Sequence, residues 1–158
     1  MTDVYYSRVL DVPAASAWNM VRDFGGLSKW FPFIPQSVLR AGAAATEVGA
    51  VRDNTNDKGE VISEQLVAFS DRDCSFTYNL IAGNVPMKEY TSTLWIHEVT
   101  EDGRTFAVWT ARYEPTGDAA ETADWVRNGI FQTCLARLEE VLKSSVSTGS
   151  GPAQSCLN

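Results

Sequence analysis

The feature that most constrains the fold is a long amphipathic stretch at residues 119–143, near the end of the sequence. Asp118 can cap its first turn, and Glu121 follows three residues later, which is the pattern of a helical capping box. Behind this cap, apolar side chains recur at helical spacing: Trp125, Val126, Ile130, Phe131, Cys134, Leu135, Leu138, Val141 and Leu142. A helix of that length runs roughly 37 Å, and so wide an apolar face needs a large partner surface. Because no other stretch predicts a comparable helix, we expect that partner to be a β-sheet.

The remaining chain is patterned as such a sheet. Short segments bounded by turn residues predict strands at 5–12, 37–41, 50–56, 60–69, 75–82, 87–99 and 104–114. Residues 14–24 predict a short helix that Pro13 can open, and residues 27–30 can add one more helical turn. Hairpin turns join the later strands into an antiparallel meander. The sequence therefore predicts an α+β fold in which a curved antiparallel sheet, with two short helices after its first strand, wraps around a long C-terminal helix.

Length and composition suggest one folded domain. The chain has 158 residues, and its 44% hydrophobic content is ample for a core, so we place a single domain at residues 1–143. The last residues, 144–158, are rich in Ser and Gly, and we expect them to form a disordered tail.

The charge of the chain limits its partners. A formal net charge of -7 disfavours nucleic acids and anionic membrane surfaces, because both reward Lys and Arg. The charge is consistent with a neutral or weakly charged small molecule; an alternative interpretation is that the acidity serves only solubility. The sequence begins without a signal-peptide pattern, and no run of about 18 apolar residues occurs. We therefore expect a cytoplasmic protein with no membrane insertion.

No motif for a metal or a cofactor is present in the sequence. The cysteines Cys74, Cys134 and Cys156 are odd in number and form no CxxC, which predicts neither a disulfide framework nor a zinc site. His97, the one histidine, falls on the outward parity of its strand. Glycine-rich nucleotide motifs and the GxSxG hydrolase motif are absent. We expect the protein to use no cofactor and no metal.

The facing of the strands follows from their turns, because antiparallel partners add to a constant across each hairpin. Arithmetic from the turn centres places five polar residues opposite one another in a row across five strands: Arg52, Glu64, Tyr78, Tyr90 and Tyr113. The rows beside it are apolar and contain Ile62, Leu66, Phe76, Leu80, Leu94, Ile96 and Trp109. The same arithmetic pairs Leu66 with Phe76, and Lys88 has the parity of Tyr90. We expect all of these side chains to face the helix, with Lys88 near the rim.

A helix stands about 10 Å from the surface on which it packs, so a ligand cavity can remain between it and the sheet. Two interpretations of the polar row stay open. Arg52 and Glu64 can form a structural ion pair with the tyrosines as wall residues, or the row can grip polar groups of an apolar ligand. A desolvated Glu64 or Tyr90 could also act as a catalytic base or acid.

The loop at residues 31–35 reads Phe-Pro-Phe-Ile-Pro, which is strongly apolar and cannot be regular helix because of its prolines. It is either a plug packed under the sheet or a gate at the mouth of a pocket. In the second interpretation Trp30, Phe31 and Phe33 close the entrance.

The outer face of the predicted sheet is mostly polar, with Trp95 as an exception. An exposed tryptophan could nucleate a contact between two copies of the chain. We therefore expect a monomer or a weak homodimer.

Several segments, taken in order, resemble a known superfamily. They read SRVLDVPAASAW, DFGGLSKWFP, VGAVR, VISEQL, MKEYTSTL and WTARYEP, and the long helix follows them. Their order and spacing are similar to those of the START/polyketide-cyclase (SRPBCC) superfamily, across roughly residues 3 to 143. That superfamily includes bacterial polyketide cyclase/dehydrase-like proteins, birch-pollen-allergen-like plant proteins and the plant abscisic acid receptors.

The resemblance implies a helix-grip fold, in which a seven-stranded antiparallel sheet encloses a C-terminal helix and a cavity for hydrophobic ligands. It implies that Glu64 is similar to a cavity-lining acid of the hormone receptors, and that Tyr90 and Ser92 resemble their ligand-contacting residues. Ile130 and Cys134 fall where the last helix of those receptors contacts ligand. The turn at residues 56–59 reads Asn-Asp-Lys-Gly and lacks the Gly-Leu-Pro gate of the receptors, which favours a bacterial-type protein.

Two functions are expected from these observations. The first is a carrier or sensor, including lipid transport, that binds a small hydrophobic ligand, aromatic or polycyclic, between sheet and helix. Its ligand contacts would come from Arg52, Glu64, Leu66, Phe76, Tyr78, Lys88, Tyr90, Ser92, Leu94, Trp109, Tyr113, Ile130 and Cys134. The alternative is a cofactor-independent polyketide cyclase, dehydratase or related lyase, in which Glu64 and Tyr90 move protons.

Overall fold

The computed structural model describes residues 1–145 and has the predicted α+β helix-grip architecture. A seven-stranded antiparallel sheet curves around a long C-terminal helix. The predicted tail at 144–158 lies outside the described residues from residue 146 onward. Residues 144 and 145 themselves extend the last helix beyond its predicted end.

The sheet is a continuous meander of six strands, to which the first strand of the chain is added at one edge. In chain order its strands are β1 (Thr2–Pro13), β2 (Gln36–Leu39), β3 (Val51–Thr55), β4 (Val61–Ser70), β5 (Ser75–Ala82), β6 (Met87–Glu98) and β7 (Arg104–Pro115). Their spatial order is β1-β7-β6-β5-β4-β3-β2, so the two edges are the first two strands of the chain. The meander predicted for the later strands is confirmed by this order.

Helical segments cover one face of the sheet. Helix α1 (Ala14–Val21) follows β1, and a 3-10 segment (Phe24–Lys29) comes after it. The C-terminal helix begins as α2 (Ala119–Asp124), passes through a π-helical segment (Trp125–Gln132) and ends as α3 (Thr133–Ser145). The predicted cap is present, since a carboxylate oxygen of Asp118 accepts the main-chain N–H of Glu121 at 2.9 Å.

The C-terminal part of the long helix, from Phe131 onward, packs against the sheet through large aromatic rings. Trp109 stacks on Phe131 with ring centroids 4.4 Å apart, and Trp30 packs against Trp109 at 5.7 Å. Leu135 and Leu138 continue this stripe and are fully buried. This packing anchors α3 to the sheet.

The free edge of β1 is protected by the same helix. The main-chain N–H of Asp11 donates to Glu139 Oε2 at 2.5 Å, and Arg8 pairs with Glu139 Oε1 at 3.3 Å. An unpaired edge amide is a template for aggregation, and this carboxylate satisfies one. Glu139 therefore fixes the helix and blunts the edge together.

The predicted register is right for β3 with β4 and at Leu94 of β6 with β7, and it is wrong for β4 with β5 and for β5 with β6. Arg52 lies opposite Glu64, and Leu94 lies opposite Trp109, as the turn arithmetic predicted. Glu64 lies opposite Leu80 rather than Tyr78, however, because the turn at residues 71–74 moves the pairing by three residues and a bulge between Leu66 and Ala68 moves it back by one. Cys74 ends this turn with a φ of 46°, a left-handed conformation that the sequence did not reveal.

The remaining register errors are also shifts of two residues. Leu66 faces Tyr78 rather than Phe76, and Tyr78 faces Ser92 rather than Tyr90. A shift of two preserves the side of the sheet to which each side chain points, since successive side chains alternate. The predicted inner face is therefore kept while the neighbours across the strands change.

Lys88 is a correction to the predicted inner face. A bulge interrupts the pairing of β6 with β7 between Lys88 and Thr91, and Glu89 there has a φ of 50°. Lys88 is exposed as a result, whereas Tyr90 remains buried.

Of the two described cysteines, Cys74 differs from the sequence expectation and Cys134 agrees with it. Cys74 is buried and disulfide-bonded, a state that the odd cysteine count argued against. Cys134 is a free thiol in the core, and burial raises its pKa.

Among residues 1–145, no helix combines the length and the apolar character that a membrane crossing requires.

Candidate functional site

A cavity of about 320 Å³ lies between the π-helical segment and the strands β3 to β6. Most of its wall is apolar and comes from Leu27, Phe31, Phe33, Ile34, Ile62, Leu80, Val85, Met87, Trp125, Val126 and Ile130. Its polar side chains are Arg52, Asn54, Asn56, Glu64, Tyr78 and Tyr90. An apolar wall with a few convergent polar groups is typical of a small-molecule site.

Arg52 and Glu64 form the centre of the polar group. Glu64 Oε2 accepts from Arg52 Nε at 2.7 Å and also lies 2.7 Å from Arg52 Nη2. Arg52 Nη1 donates to the main-chain carbonyl of Phe24 at 3.1 Å. The guanidinium lies 4.0 Å from the ring centroid of Phe24 and 5.1 Å from that of Tyr78. Arg52, at 3% exposure, is thus held on all sides.

Asn54 fixes the same carboxylate oxygen from the next inward position of β3. Its Nδ2 donates to Glu64 Oε2 at 3.0 Å, and its Oδ1 accepts from the Ser37 hydroxyl at 2.7 Å. All hydrogen bonds to Glu64 from the described residues are therefore made at Oε2. Oε1 is left as an acceptor on a cavity-lining side chain whose orientation is already set.

Two tyrosines extend the polar group toward the helix. The rings of Tyr78 and Tyr90 lie 6.2 Å apart, and both residues are buried. Burial, and then the negative charge of Glu64, raises the pKa of Tyr78 to about 12. Burial likewise raises the pKa of Tyr90 well above its ordinary value, with Tyr78 as the next cause. Both hydroxyls therefore keep their protons at neutral pH and act as neutral hydrogen-bond donors or acceptors.

Tyr113 and Ser92, which the sequence placed in the site, lie behind it. Tyr113 stacks on Tyr90 at 5.9 Å, and its buried hydroxyl has no partner among the described residues. Burial raises the pKa of Tyr113 as well. The Ser92 hydroxyl donates to the carbonyl of Thr110 at 2.7 Å and accepts from Trp109 Nε1 at 3.0 Å. Ser92 thus ties two strands together beneath the cavity.

The structure brings some of the sequence-predicted site residues to the cavity wall and not others. Those that line it are Arg52, Glu64, Tyr78, Tyr90 and Ile130, together with Phe31 and Phe33. Those that are buried away from it are Trp30, Leu66, Phe76, Ser92, Leu94, Trp109, Tyr113 and Cys134. Lys88 is exposed outside it. The strand residues of the buried group lie on the predicted inner face of the sheet, but where aromatic rings fill the gap to the helix.

Val126 lines the cavity, as expected for a residue of the helix stripe that roofs it, whereas other lining residues were not predicted as site residues: Leu27, Ile34, Asn54, Asn56, Ile62, Leu80, Val85, Met87 and Trp125. Asn54 and Asn56 lie two and four residues after Arg52 and so share its side of the strand. The same count of alternating residues could have predicted them as site residues. Ile62 and Leu80 were placed in the apolar rows but not in the site. Leu27 and Val85 belong to segments between strands, for which parity gives no prediction.

Two lining side chains mark the mouth of the cavity. Within residues 1–145, Phe33 at 43% and Trp125 at 42% are the exposed members of the wall. The apolar loop lines the cavity through Phe31 and Phe33, whereas Trp30, which was also expected at the gate, is buried against Trp109.

The chemistry available in the cavity is that of hydrogen bonding and of one carboxylate. Within the described part of the chain, no group of three or more His, Cys, Asp or Glu side chains could hold a metal ion. Glu64 can accept a proton or a hydrogen bond through Oε1, and the two tyrosine hydroxyls can donate. An apolar molecule with one polar end fits this arrangement.

Comparison with known families agrees with the fold and the cavity. Residues 1–143 match the family described as polyketide cyclase/dehydrase and lipid transport, and the chain belongs to that family. The match covers the whole helix-grip domain, and the START/polyketide-cyclase resemblance of the sequence is confirmed by it.

Individual relatives of known name or structure share about a quarter of their residues with this chain. The abscisic acid receptor PYL10 of Arabidopsis thaliana is 26% identical over 138 residues, which are 84% of this chain and 74% of the receptor. The solved structure of the protein XoxI from Bacillus cereus superposes with a TM-score of 0.81 at 26% identity, covering 90% of this chain and 96% of that one. A protein from Nitrosospira multiformis gives 0.78 at 27% identity, covering 92% and 99%.

Proposed function

We propose that this protein binds one small, largely apolar molecule in the cavity beneath the π-helical segment, as a carrier or sensor. The observation that carries the proposal is the state of Glu64. Its Oε2 is fixed by Arg52 and Asn54, whereas its Oε1 remains for a guest in a mostly apolar wall. The Glu64 side chain keeps 14% of its surface exposed, so a ligand donor at Oε1 would replace water there with a charge-assisted hydrogen bond.

The cavity volume narrows the size of the ligand. Small-molecule sites span about 300 to 1,000 Å³, and this cavity of about 320 Å³ lies at the lower end. Of the two expected kinds of ligand, aromatic or polycyclic, an aromatic molecule with one or two rings fits that space better. Its polar end would donate to Glu64 Oε1 and could accept from the hydroxyl of Tyr90.

The relatives support a ligand-binding role of this kind. The family description includes lipid transport, and a related plant protein is named as a receptor for abscisic acid, a small molecule. The net charge of -7 favours a neutral ligand over nucleic acid. A cytoplasmic location and a monomer or weak homodimer belong to the same proposal; Trp95, on the outer face, is half-buried.

The test compares two probes of nearly equal shape. 2-Naphthol carries a hydroxyl that can donate to Glu64 Oε1, and 2-methoxynaphthalene lacks that donor. We expect Glu64→Gln to weaken binding of 2-naphthol about tenfold, in line with the loss of a hydrogen bond to a charged group, and to change binding of 2-methoxynaphthalene much less. Fluorescence titration measures both affinities.

The matched control is Glu101→Gln, which removes one carboxylate from an exposed turn outside the cavity. It should leave both affinities unchanged. The proposal fails if neither probe binds to the wild-type protein, or if Glu64→Gln and Glu101→Gln behave alike toward 2-naphthol.

A second candidate function is the cyclase or dehydratase chemistry of the family description. The specific observation in its favour is again Glu64 Oε1, which could serve as a general base for a proton on a bound ketone. Tyr90 would act as a hydrogen-bond donor to the developing oxyanion, because its raised pKa makes loss of its proton costly. If a short β-polyketone is cyclised equally well by the wild type and by a Glu64→Gln, Tyr90→Phe double variant, the enzyme proposal is lost.

A further inference from the structure

We infer that Trp125 is a lid over the ligand cavity and that Gly129 sets how closely this lid lies against the helix. Together the two residues would control how fast a ligand enters and leaves. This inference rests on the proposed ligand-binding function. It concerns the kinetics of exchange, whereas the polar group around Glu64 concerns affinity.

The indole of Trp125 lies along the helix directly over Gly129. A Cβ atom built at residue 129 would come within 3.0 Å of Trp125 Cδ1, 3.6 Å of Nε1 and 3.7 Å of Cγ. A separation of 3.0 Å is tighter than nine in ten real Cβ contacts, so with an alanine at residue 129 the ring would have to give way by a few tenths of an ångström. Glycine at this position therefore allows the close approach of the ring.

The backbone offers no other reason for a glycine at this position. Gly129 is not among the glycines with a positive φ, and it stands in the interior of the π-helical segment. Glycine weakens a helix interior relative to alanine because of its larger conformational freedom. The gain that offsets this weakness is the space for the Trp125 ring.

The π-helical segment brings Trp125 and Ile130, five residues apart, to the same cavity wall. Such wide turns leave main-chain groups in need of partners, and the Thr133 hydroxyl donates to the carbonyl of Asn128 at 3.2 Å. Single-turn π segments are frequent at functional sites. Here the segment carries the exposed indole of Trp125, which lines the cavity together with the other exposed wall residue, Phe33.

An alanine at residue 129 would displace the indole by a few tenths of an ångström without removing it. The mouth would widen, while the polar group at Glu64 would stay unchanged. Ligand exchange should then accelerate in both directions, with a smaller effect on the dissociation constant than on the rates. Removal of the ring by Trp125→Ala should have the same kinetic effect.

The closing experiment measures the dissociation rate of 2-naphthol from the full chain by stopped-flow fluorescence. We expect Gly129→Ala to raise that rate about tenfold, equivalent to about 1.4 kcal/mol. Gly117→Ala is the matched control, because residue 117 is an exposed loop glycine with open space around it, and it should leave the rate unchanged. In the Trp125→Ala background, Gly129→Ala should add nothing, since the two substitutions disrupt one contact.

A second measurement tests the contact without any ligand. The indole N–H of Trp125 gives a ¹H–¹⁵N NMR signal that Trp125→Phe assigns by its disappearance. We expect that signal to shift in Gly129→Ala and to stay in place in Gly117→Ala. Retention of the other tryptophan indole signals in each variant shows that the protein remains folded.

The outcomes separate this inference from the proposed function. An unmoved Trp125 signal in Gly129→Ala, or equal dissociation rates in all variants that bind 2-naphthol, overturns the lid. Additive rate increases in the double variant also overturn it. A shifted signal in a protein that binds neither naphthalene probe leaves the packing intact but overturns the proposed function and the lid with it.

Discussion

The two halves of the interface between sheet and helix differ in how they are filled. In the anchored half, Trp109 stacks on Phe131 at 4.4 Å and the stripe of α3 is fully buried. In the hollow half, Val126 and Ile130 face a cavity of about 320 Å³ and a buried ion pair. One helix thus serves as core in one half and as cavity roof in the other.

The change of task falls near the end of the π-helical segment. The helix residues that roof the cavity, Trp125, Val126 and Ile130, all lie in that segment, whereas the anchored half takes Phe131 from its end and continues along α3 as regular α-helix. The anchored half supplies the stability that lets the hollow half keep empty apolar space and buried polar groups, both of which cost free energy. The predictions below test this division of labour.

The largest effect on the free energy of unfolding is expected from removing a packed side chain in the anchored half. Trp109→Ala should lower the free energy of unfolding by about 3 to 5 kcal/mol, because it removes a fully packed ring. Ile130→Ala, the matched change in the hollow half, should cost about 1 kcal/mol, because that side chain already borders empty space. Urea unfolding measures both values, and similar costs would mean that the two halves are packed alike.

A smaller effect is expected away from both halves, in the turn after β4, where Asp71 holds the end of α1. Its carboxylate accepts from Trp18 Nε1 at 2.8 Å and from two nitrogens of Arg22, and Arg22 is the main cause of its lowered pKa. Since the Asp71 side chain is 41% exposed, solvent screens the pair, and we expect Asp71→Asn to cost about 1 kcal/mol at neutral pH.

The sign of the pH dependence follows from that lowered pKa. The stabilisation by Asp71 is fully present above its unfolded pKa of about 3.9 and is lost as the pH falls through the lower folded value. The difference in stability between the wild type and Asp71→Asn should therefore shrink below about pH 4. A difference that stays constant with pH in urea unfolding would assign it to packing rather than to charge.

The smallest effect on stability is expected from filling the hollow half. Ile130→Trp should change the free energy of unfolding by no more than about 0.5 kcal/mol, because the larger ring enters space that is already empty. The same variant should abolish binding of 2-naphthol. Loss of folding, seen as a collapse of the unfolding transition, would instead show that Ile130 belongs to the packed core.

Most of the fold could be predicted from the sequence, because its signals are local. The capped amphipathic stretch predicted the last helix to within two residues of its observed end, and alternation predicted all seven strands. The side on which each inner residue lies survived register errors of two residues, since a shift of two retains the face. The inward orientation predicted for Lys88 was wrong because of a bulge that depends on the conformation of Glu89.

The set of lining residues could be predicted only in part, for a different reason. Parity brought Arg52, Glu64, Tyr78 and Tyr90 to the correct face, and all four line the cavity. It could not tell them from Trp109 and other inward residues on the same strands that fill the gap. Trp125 was placed on the apolar stripe of the helix, but its exposure at the mouth depends on Gly129 and the π-helical segment.

The sequence by itself determined the order of the elements, the inward face of the sheet and the pairing of Arg52 with Glu64, because these depend on periodicity and on short turns. The tertiary structure alone decided which part of the space between helix and sheet stays open. That outcome depends on how rings from the loop at 30–35, from β7 and from the helix pack together, and such packing joins residues that are distant in the chain.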